Sequence, residues 1–162
     1  METELATLAG GCFWGVEELF SKLEGVVATR VGYTGGLIEN PTYDLVKLGT
    51  SGHAEAVQIE FLPEKISFEK ILEYFFRLHD PTTLNQQGND KGTQYRSAIF
   101  YHSELQKKNA EHVKKNVTDS KKWQRPIVTE IVPFVKFYLA EEFHQQYLKK
   151  NPNGYNCHYL RK

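Results

Sequence analysis

The chain has 162 residues, with twenty basic and twenty acidic side chains and a formal net charge of zero at neutral pH. That length suits one domain with a sizeable core, and the charge balance gives no electrostatic case for a nucleic acid or an anionic membrane as partner. No apolar run approaches the ~20 residues of a membrane-spanning helix, and two cysteines, Cys12 and Cys157, make neither a disulfide scaffold nor a zinc cluster. The N-terminus lacks the basic-then-apolar pattern of a secretory signal, so a cytoplasmic location is expected. Met1 is the only methionine. Such scarcity fits a protein that must survive oxidants, and chance composition fits it equally.

Residues 4–9 read as a buried strand that runs into Gly10-Gly11-Cys12-Phe13-Trp14-Gly15. Phe13, Val16, Leu19, Phe20 and Leu23 then recur at steps of three and four, which predicts a helix over 13–23, closed before Gly25. Two glycines permit a tight strand-to-helix turn, and Cys12 falls at the helix N-terminus. Unpaired backbone N–H groups there favour a thiolate, so Cys12 is expected to be a nucleophile near neutral pH. A buried structural cysteine is the commoner fate of the residue type. Val26 to Val31 is β-branched and predicts a second strand. Strand, helix and strand with short links form a βαβ unit, whose strands should be parallel. The pattern breaks at Gly32-Tyr33-Thr34-Gly35-Gly36, and residues 37–52 carry only the turn signal Asn40-Pro41-Thr42-Tyr43. An aperiodic stretch of this length inside a compact domain is usually a functional loop.

His53 to Phe61 alternates. If Val57, Ile59 and Phe61 face the core, Glu55 points inward with them. The other possibility is a sheet-edge position, from which Glu55 turns to water. Ser67 caps the next helix, whose buried stripe is Phe68, Ile71, Leu72, Phe75 and His79. Asp80-Pro81 ends it. Residues 82–94 form a polar loop, and Tyr95 to Tyr101 reads as a strand. Ser103-x-x-Gln106 is a capping box opening a polar helix to about Val117. The Lys-rich residues 114–122 look like a solvated face. A strand is predicted over Ile127–Val132 and a helix over Glu141–Lys150, halted by Asn151-Pro152. The remaining residues are aperiodic and contain Gly154-Tyr155-Asn156-Cys157-His158.

This order predicts an α+β two-layer sandwich on a mixed sheet, with a ferredoxin-like βαββαβ core, extra C-terminal helices and an irregular tail. Residues 1–150 should form a single catalytic domain and residues 151–162 a mobile tail.

An activated Cys12 admits several chemistries. A tyrosine-phosphatase cradle needs an arginine six residues on, where the chain has Glu18. A papain-like hydrolase needs a His partner. His53, His79 and His144 are available, but no local sequence ties them to Cys12. A methyl-ammonium cage could use Phe13, Trp14 and the tyrosines, yet leaves the cysteine idle. Redox chemistry uses most. A thiolate attacks an electrophilic heteroatom, Glu55 serves as the acid for the leaving oxygen, and Cys157 resolves the product. Phe13 and Trp14 would line an apolar pocket, so the substrate carries an apolar group beside a reducible oxygen.

The motifs then resemble one family along most of the chain. Gly11-Cys12-Phe13-Trp14-Gly15-Val16-Glu17, Gly32-Tyr33-Thr34-Gly35-Gly36, Asn40-Pro41-Thr42-Tyr43 and Gly52-His53-Ala54-Glu55-Ala56 are similar to those of peptide methionine sulfoxide reductase A. So are Gln87-Gly88-Asn89-Asp90, Gly92-Thr93-Gln94-Tyr95-Arg96-Ser97, His144-Gln145-Gln146-Tyr147-Leu148 and Asn151-Pro152-Asn153-Gly154-Tyr155, in the same order. The resemblance implies reduction of the S epimer of methionine sulfoxide, in proteins and as the free amino acid. It implies that Cys12 attacks the sulfoxide sulfur and becomes a sulfenic acid. Glu55 protonates the oxygen, Tyr43 and Tyr95 donate hydrogen bonds to it, Phe13 and Trp14 hold the methyl group, and Asp90 shapes the polar side. It implies thioredoxin as reductant, a monomer, and no metal or organic cofactor. The tail departs from the pattern. Many members place the resolving cysteine directly after Gly-Tyr, whereas here Asn156 precedes Cys157 and no third cysteine follows. Either a Cys12–Cys157 disulfide is the thioredoxin substrate, or a small thiol reduces the sulfenic acid directly.

Overall fold

The structure is a computed structural model and describes residues 2–162. It opens with strand β1 (Glu4–Gly10), helix α1 (Phe13–Ser21) and strand β2 (Val26–Thr34). A loop holding the short helix α2 (Tyr43–Lys47) leads to strand β3 (Ala54–Phe61) and helix α3 (Phe68–Leu78). A small hairpin, β4 (Gln86–Gln87) with β5 (Asp90–Lys91), and a 3-10 turn at Thr93–Tyr95 precede strand β6 (Ser97–Tyr101). Helix α4 (Glu104–Asp119), strands β7 (Glu130–Pro133) and β8 (Phe137–Leu139), a second 3-10 turn (Glu142–His144) and helix α5 (Tyr147–Lys150) complete it. Among the described residues no helix is long and apolar enough to cross a membrane.

The main sheet is mixed, in the order β7-β6-β1-β3-β2-β8. β3 pairs antiparallel with both β1 and β2. The first two strands therefore run the same way, as the βαβ reading expected, but are not neighbours. β6 pairs antiparallel with β1 and parallel with β7. The α+β class read from the sequence is the observed one.

Alternation sorts the strands into two faces. Leu8, Val31, Tyr33, Val57, Ile59 and Ile99 lie in the larger core with Phe13, Val16 and Phe20 of α1 and the apolar stripe of α3. The opposite parity presents Ala9, Ala54, Ala56 and Ala98, beside Phe100, to Val132, Phe134 and Phe137. Small residues on that face let the segment that links β7 to β8 approach the sheet closely. The caps follow the sequence. Ser67 accepts from Lys70 N at 3.1 Å and Ser103 from Gln106 N at 3.1 Å. Gln106 returns its oxygen one residue further back than a capping box requires, to His102 N.

Four local readings are corrected. β2 continues to Thr34 instead of breaking at Gly32, because its far half is sandwiched between β3 and β8. Tyr95 and Arg96 are not in the strand. Tyr95 ends a 3-10 turn held by Gln94, whose side chain reaches Lys47 O at 3.0 Å. The strand expected at Ile127–Val132 is shifted to Glu130–Pro133, and β8 was not anticipated. The helix expected over Glu141–Lys150 is split, with Gln146 at φ 55° between its halves.

That split has a cause. Gln145 lays its amide against the backbone of β2, accepting from Val31 N at 2.9 Å and donating to Val31 O at 2.9 Å and Ala140 O at 3.0 Å. Gln146 donates its N–H to the buried Glu17 at 2.8 Å and its amide to Glu17 and Thr29. A continuous helix would turn both side chains away from these partners. Gln145→Ala is expected to leave Val31 N of β2 without its partner, while Val31 O still accepts from Ala140 N, and to lower unfolding stability by about 1–3 kcal/mol. Urea denaturation of parent and variant measures this.

Candidate active site

Gly11 makes the turn between β1 and α1 at φ 100°, a conformation closed to most side chains. A Cβ there would also meet Gln87 at 2.7 Å. Cys12 follows as the N-cap of α1 and is 7% exposed. The first N–H of the helix, on Phe13, donates to Glu55 Oε1 at 3.1 Å. Glu55 is 1% exposed, opposite Tyr33 in the β2–β3 register. Of the two readings that strand parity left open, the inward one holds, and Glu55 sits on the core face. Its other oxygen, Oε2, is buried with no hydrogen-bond partner.

Burial dominates the electrostatics. It pushes the Glu55 carboxyl up to about 8, against the opposing hydrogen bond from Phe13, with the Asp90 charge adding to the rise. Glu55 is therefore mostly protonated at neutral pH. Burial also pushes the Cys12 thiol well above its ordinary value, and the Glu55 charge adds to this. Only the backbone N–H of Trp14 pulls it down. The expectation of a resting thiolate is therefore corrected. The helix terminus does supply an N–H to the sulfur, but a second one is taken by Glu55, and desolvation outweighs the remaining dipole.

Tyr43 and Tyr95 are half-buried, and burial followed by the Glu55 charge raises both phenols. They remain hydrogen-bond donors throughout the neutral range. Tyr43 opens α2, where its N–H donates to Glu141 Oε2 at 3.0 Å. Glu141 also accepts from Tyr33 Oη at 2.8 Å, so one carboxylate fixes both tyrosines. Phe13 is wholly buried and packs on Tyr33, Tyr43 and His144. Trp14 is half-buried, stacks on Tyr147 at 3.8 Å between centroids, and donates Nε1–H to His144 Nδ1 at 2.9 Å. An aromatic wall thus stands beside the thiol and the acid.

Asp90 begins β5 and accepts from Tyr155 Oη at 3.1 Å and from Cys157 Sγ at 3.8 Å. Cys12 and Cys157 are both free, and lie near enough for a charge on Cys157 to raise the Cys12 thiol. The three histidines of the hydrolase alternative are engaged elsewhere. His53 bonds Ile38 O and Gly36 N, His79 bonds Phe75 O and Ser97, and His144 serves Trp14. Sequence reasoning missed Glu141, Tyr147, Tyr155 and His158. Tyr147 and Tyr155 stood in motifs without a role, and only three-dimensional contact assigns them one.

A buried thiol, a buried carboxyl that keeps its proton and two phenols beside an aromatic wall define an α+β thiol enzyme with an acid in reach. The family model described as peptide methionine sulfoxide reductase matches residues 4–162. The curated peptide methionine sulfoxide reductase MsrA of Methanothermobacter thermautotrophicus is 51% identical over 158 residues, covering 98% of this chain and 93% of that one. Among solved structures, reduced Mxr1 of Saccharomyces cerevisiae superposes with a TM-score of 0.94 at 43% identity, covering 99% of this chain and 93% of that one. The same yeast protein in complex with Trx2 matches with a TM-score of 0.68 at 31% identity, covering 99% and 91%. The chain belongs to the peptide methionine sulfoxide reductase family.

Glu55 keeps a proton in the folded protein that it loses in the unfolded chain between about pH 4.5 and 8. Across that window the folded state binds more protons, so the carboxyl's contribution to stability falls as pH rises. Glu55→Gln is expected to be less pH-sensitive than the parent there and more stable than it at pH 8 and above. Taking the difference between the two removes the opposing effect of the buried His79, held down to about 3 by burial. Chemical denaturation at a series of pH values measures it.

Proposed function

We propose that this protein reduces methionine sulfoxide, of the S epimer, to methionine, in oxidised proteins and as the free amino acid. The observation that carries the reading is Glu55 Oε2, a buried oxygen without a partner on a carboxyl whose proton is retained to about pH 8. Such a group is suited to donate to an oxygen delivered by a ligand, and family membership names sulfoxide chemistry.

In the proposed reaction Cys12 Sγ attacks the sulfoxide sulfur while the Glu55 proton moves to the sulfoxide oxygen. Oxygen passes to Cys12, which becomes a sulfenic acid, and methionine leaves with its sulfur reduced by two electrons. The step needs no net proton, because the one Cys12 gives up replaces the one Glu55 donates. Both acids protonated is therefore the right starting state for a neutral substrate. Tyr43 and Tyr95 donate to the developing oxyanion. Trp14 offers a ring face to the methyl group, with Phe13 supporting it from the core, and Asp90 lies on the polar side.

Cys157 then closes a disulfide on Cys12 with release of water, and thioredoxin reduces that disulfide. A solved complex of the yeast relative with Trx2 supports this choice of reductant. We read residues 1–150 as the catalytic domain, with a ferredoxin-like frame in the strand order β6-β1-β3-β2, and residues 151–162 as a tail that moves during turnover. The enzyme is read as a cytoplasmic monomer without cofactor.

Each role has a distinct signature. Cys12→Ser is expected to form no methionine from a methionine-sulfoxide peptide with any reductant, and Glu55→Gln to slow the first turnover by about 10²–10⁴-fold. Cys157→Ser is expected to yield one equivalent of methionine, then to stall with thioredoxin and partly recover with dithiothreitol. Chromatographic measurement of methionine peptide checks all three. Peptide-bond cleavage without loss of sulfoxide would show a hydrolase instead.

A further inference from the structure

We propose that His158 is the base for the resolving step, taking the proton from Cys157 as its sulfur attacks the sulfenic acid on Cys12. The proposal rests on the reductase reading above and adds a residue to it.

The geometry begins with the carbonyl of Gly10, which accepts from His158 Nε2 at 2.7 Å. A carbonyl cannot donate, so Nε2 carries the hydrogen, and the neutral ring leaves Nδ1 as a bare acceptor. That Nδ1 lies 3.7 Å from Cys157 Sγ. Gly10 ends β1, two residues before Cys12, so the bond that fixes the tautomer also moors the tail to the nucleophile's own turn.

Space was left for this ring. A Cβ on Gly15 would meet His158 Nδ1 and Asn156 Oδ1, each at 2.5 Å, and one on Gly11 would meet His158 Nε2 at 3.2 Å. The two glycines that flank Cys12-Phe13-Trp14 thus form the floor on which the imidazole and Asn156 sit. Gly15 lies within α1 at φ below zero, so close approach, not backbone freedom, demands a glycine there. Asn156 Oδ1 in turn accepts from His158 N at 2.9 Å and turns the chain so that Cys157 and its neighbour's ring face each other. The residue inserted before Cys157 therefore has a structural use. His158 is 6% exposed, and burial holds its imidazole below the ordinary histidine value.

The step balances. His158 Nδ1 takes the Cys157 proton as the Cys157 Sγ–Cys12 Sγ bond forms and the Cys12 S–O bond breaks. The imidazolium returns the proton to the leaving hydroxide, which departs as water. Cys157 sulfur is oxidised and Cys12 sulfur reduced, with no outside oxidant. The charged and titratable groups around the ring are Cys157, Asp90, Arg161 and His79. The Asp90 charge favours the transient imidazolium, whereas Arg161 opposes it.

His158→Gln can keep a donor for Gly10 O but has no base, and His158→Ala loses both. Stopped-flow thiol counting after one equivalent of methionine-sulfoxide peptide reads the resolving step. With His158→Gln, first-turnover methionine should appear, a sulfenic acid should accumulate for trapping by dimedone, and disulfide formation should slow by about 10²-fold. Its rate should climb with pH through the thiol range, while the parent's stays nearly flat near neutrality. Added imidazole should accelerate resolution in His158→Ala. Disulfide formation at the parent rate, or slowing by the same factor at every pH with no imidazole rescue, would overturn the base role. Absence of first-turnover methionine from the parent protein itself would overturn the reductase reading, and this inference with it.

Discussion

The hydrogen bond from Phe13 N to Glu55 Oε1 is the constraint on which the site depends. It ties the first turn of α1 to the second residue of β3, so the helix that begins at Cys12 and the strand that carries Glu55 are joined directly. It also occupies one oxygen of a carboxyl that is otherwise out of water, leaving the other to carry the proton. Burying a carboxylate costs far more than burying a carboxylic acid. The same burial that makes Glu55 an acid at neutral pH keeps the neighbouring thiol protonated, because a thiolate there would lose its hydration. Helix dipole and desolvation act on Cys12 in opposite directions, and here desolvation is larger. A neutral site matched to a neutral, dipolar substrate follows from that balance.

Around this bond the aromatic residues form a scaffold more than a loose cage. Glu141 holds Tyr33 and Tyr43 together, His144 accepts from Trp14, and Tyr147 lies flat on the indole. The segment from Glu141 to Tyr147 therefore supports the site from the side opposite β3. Its Gln146 is held in turn by Glu17, a buried carboxyl on α1 that accepts from Thr29 and twice from Gln146. Burial raises the Glu17 carboxyl as it does Glu55, but the Thr29 hydroxyl and the Gln146 N–H oppose the rise. Two buried acids in one helix–strand unit thus differ by their partners. Glu17 has both oxygens engaged and is structural, whereas Glu55 has one free.

How much of this could be read in the sequence varied with the kind of signal. The direction of Glu55 was narrowed to two choices by the two-residue period, and Val57 and Ile59 mark the parity that faces the larger core, although β3 is buried on both faces. The capping serines, the apolar stripe of α3 and the turn before Cys12 were legible for the same local reason. Tyr95 was read as a strand residue because Tyr95 to Tyr101 is β-rich, but its backbone follows the turn that Gln94 anchors to Lys47. β8 carried no usable period over three residues, and it exists because the β2 edge accepts it. The break at Gln146 was illegible, since Gln145 and Gln146 prefer a helix until β2 and Glu17 compete for their amides. Tertiary partners decided each of these cases.

The tail shows the same rule most sharply. Residues 151–162 have no period after Asn151-Pro152, and a sequence reading can give them only mobility. In the structure Arg161 N meets Arg77 O at 2.8 Å, Tyr155 bonds Asp90 and His158 bonds Gly10. With Arg77 Nε donating to Arg161 O at 2.7 Å and Cys157 Sγ to Asp90 at 3.8 Å, these are separate polar contacts, and contacts of this kind are each worth only about 1 kcal/mol net. A segment held that way can dock and release at modest cost, as the resolving role proposed for Cys157 requires. Tight apolar docking would keep Cys157 over Cys12 permanently and obstruct the substrate's approach. A free tail would rarely present its sulfur at the distance a disulfide needs. Weak polar ties at separate points satisfy both demands of that proposed role, and Gly11 and Gly15 leave the space beside Cys12 into which His158 fits.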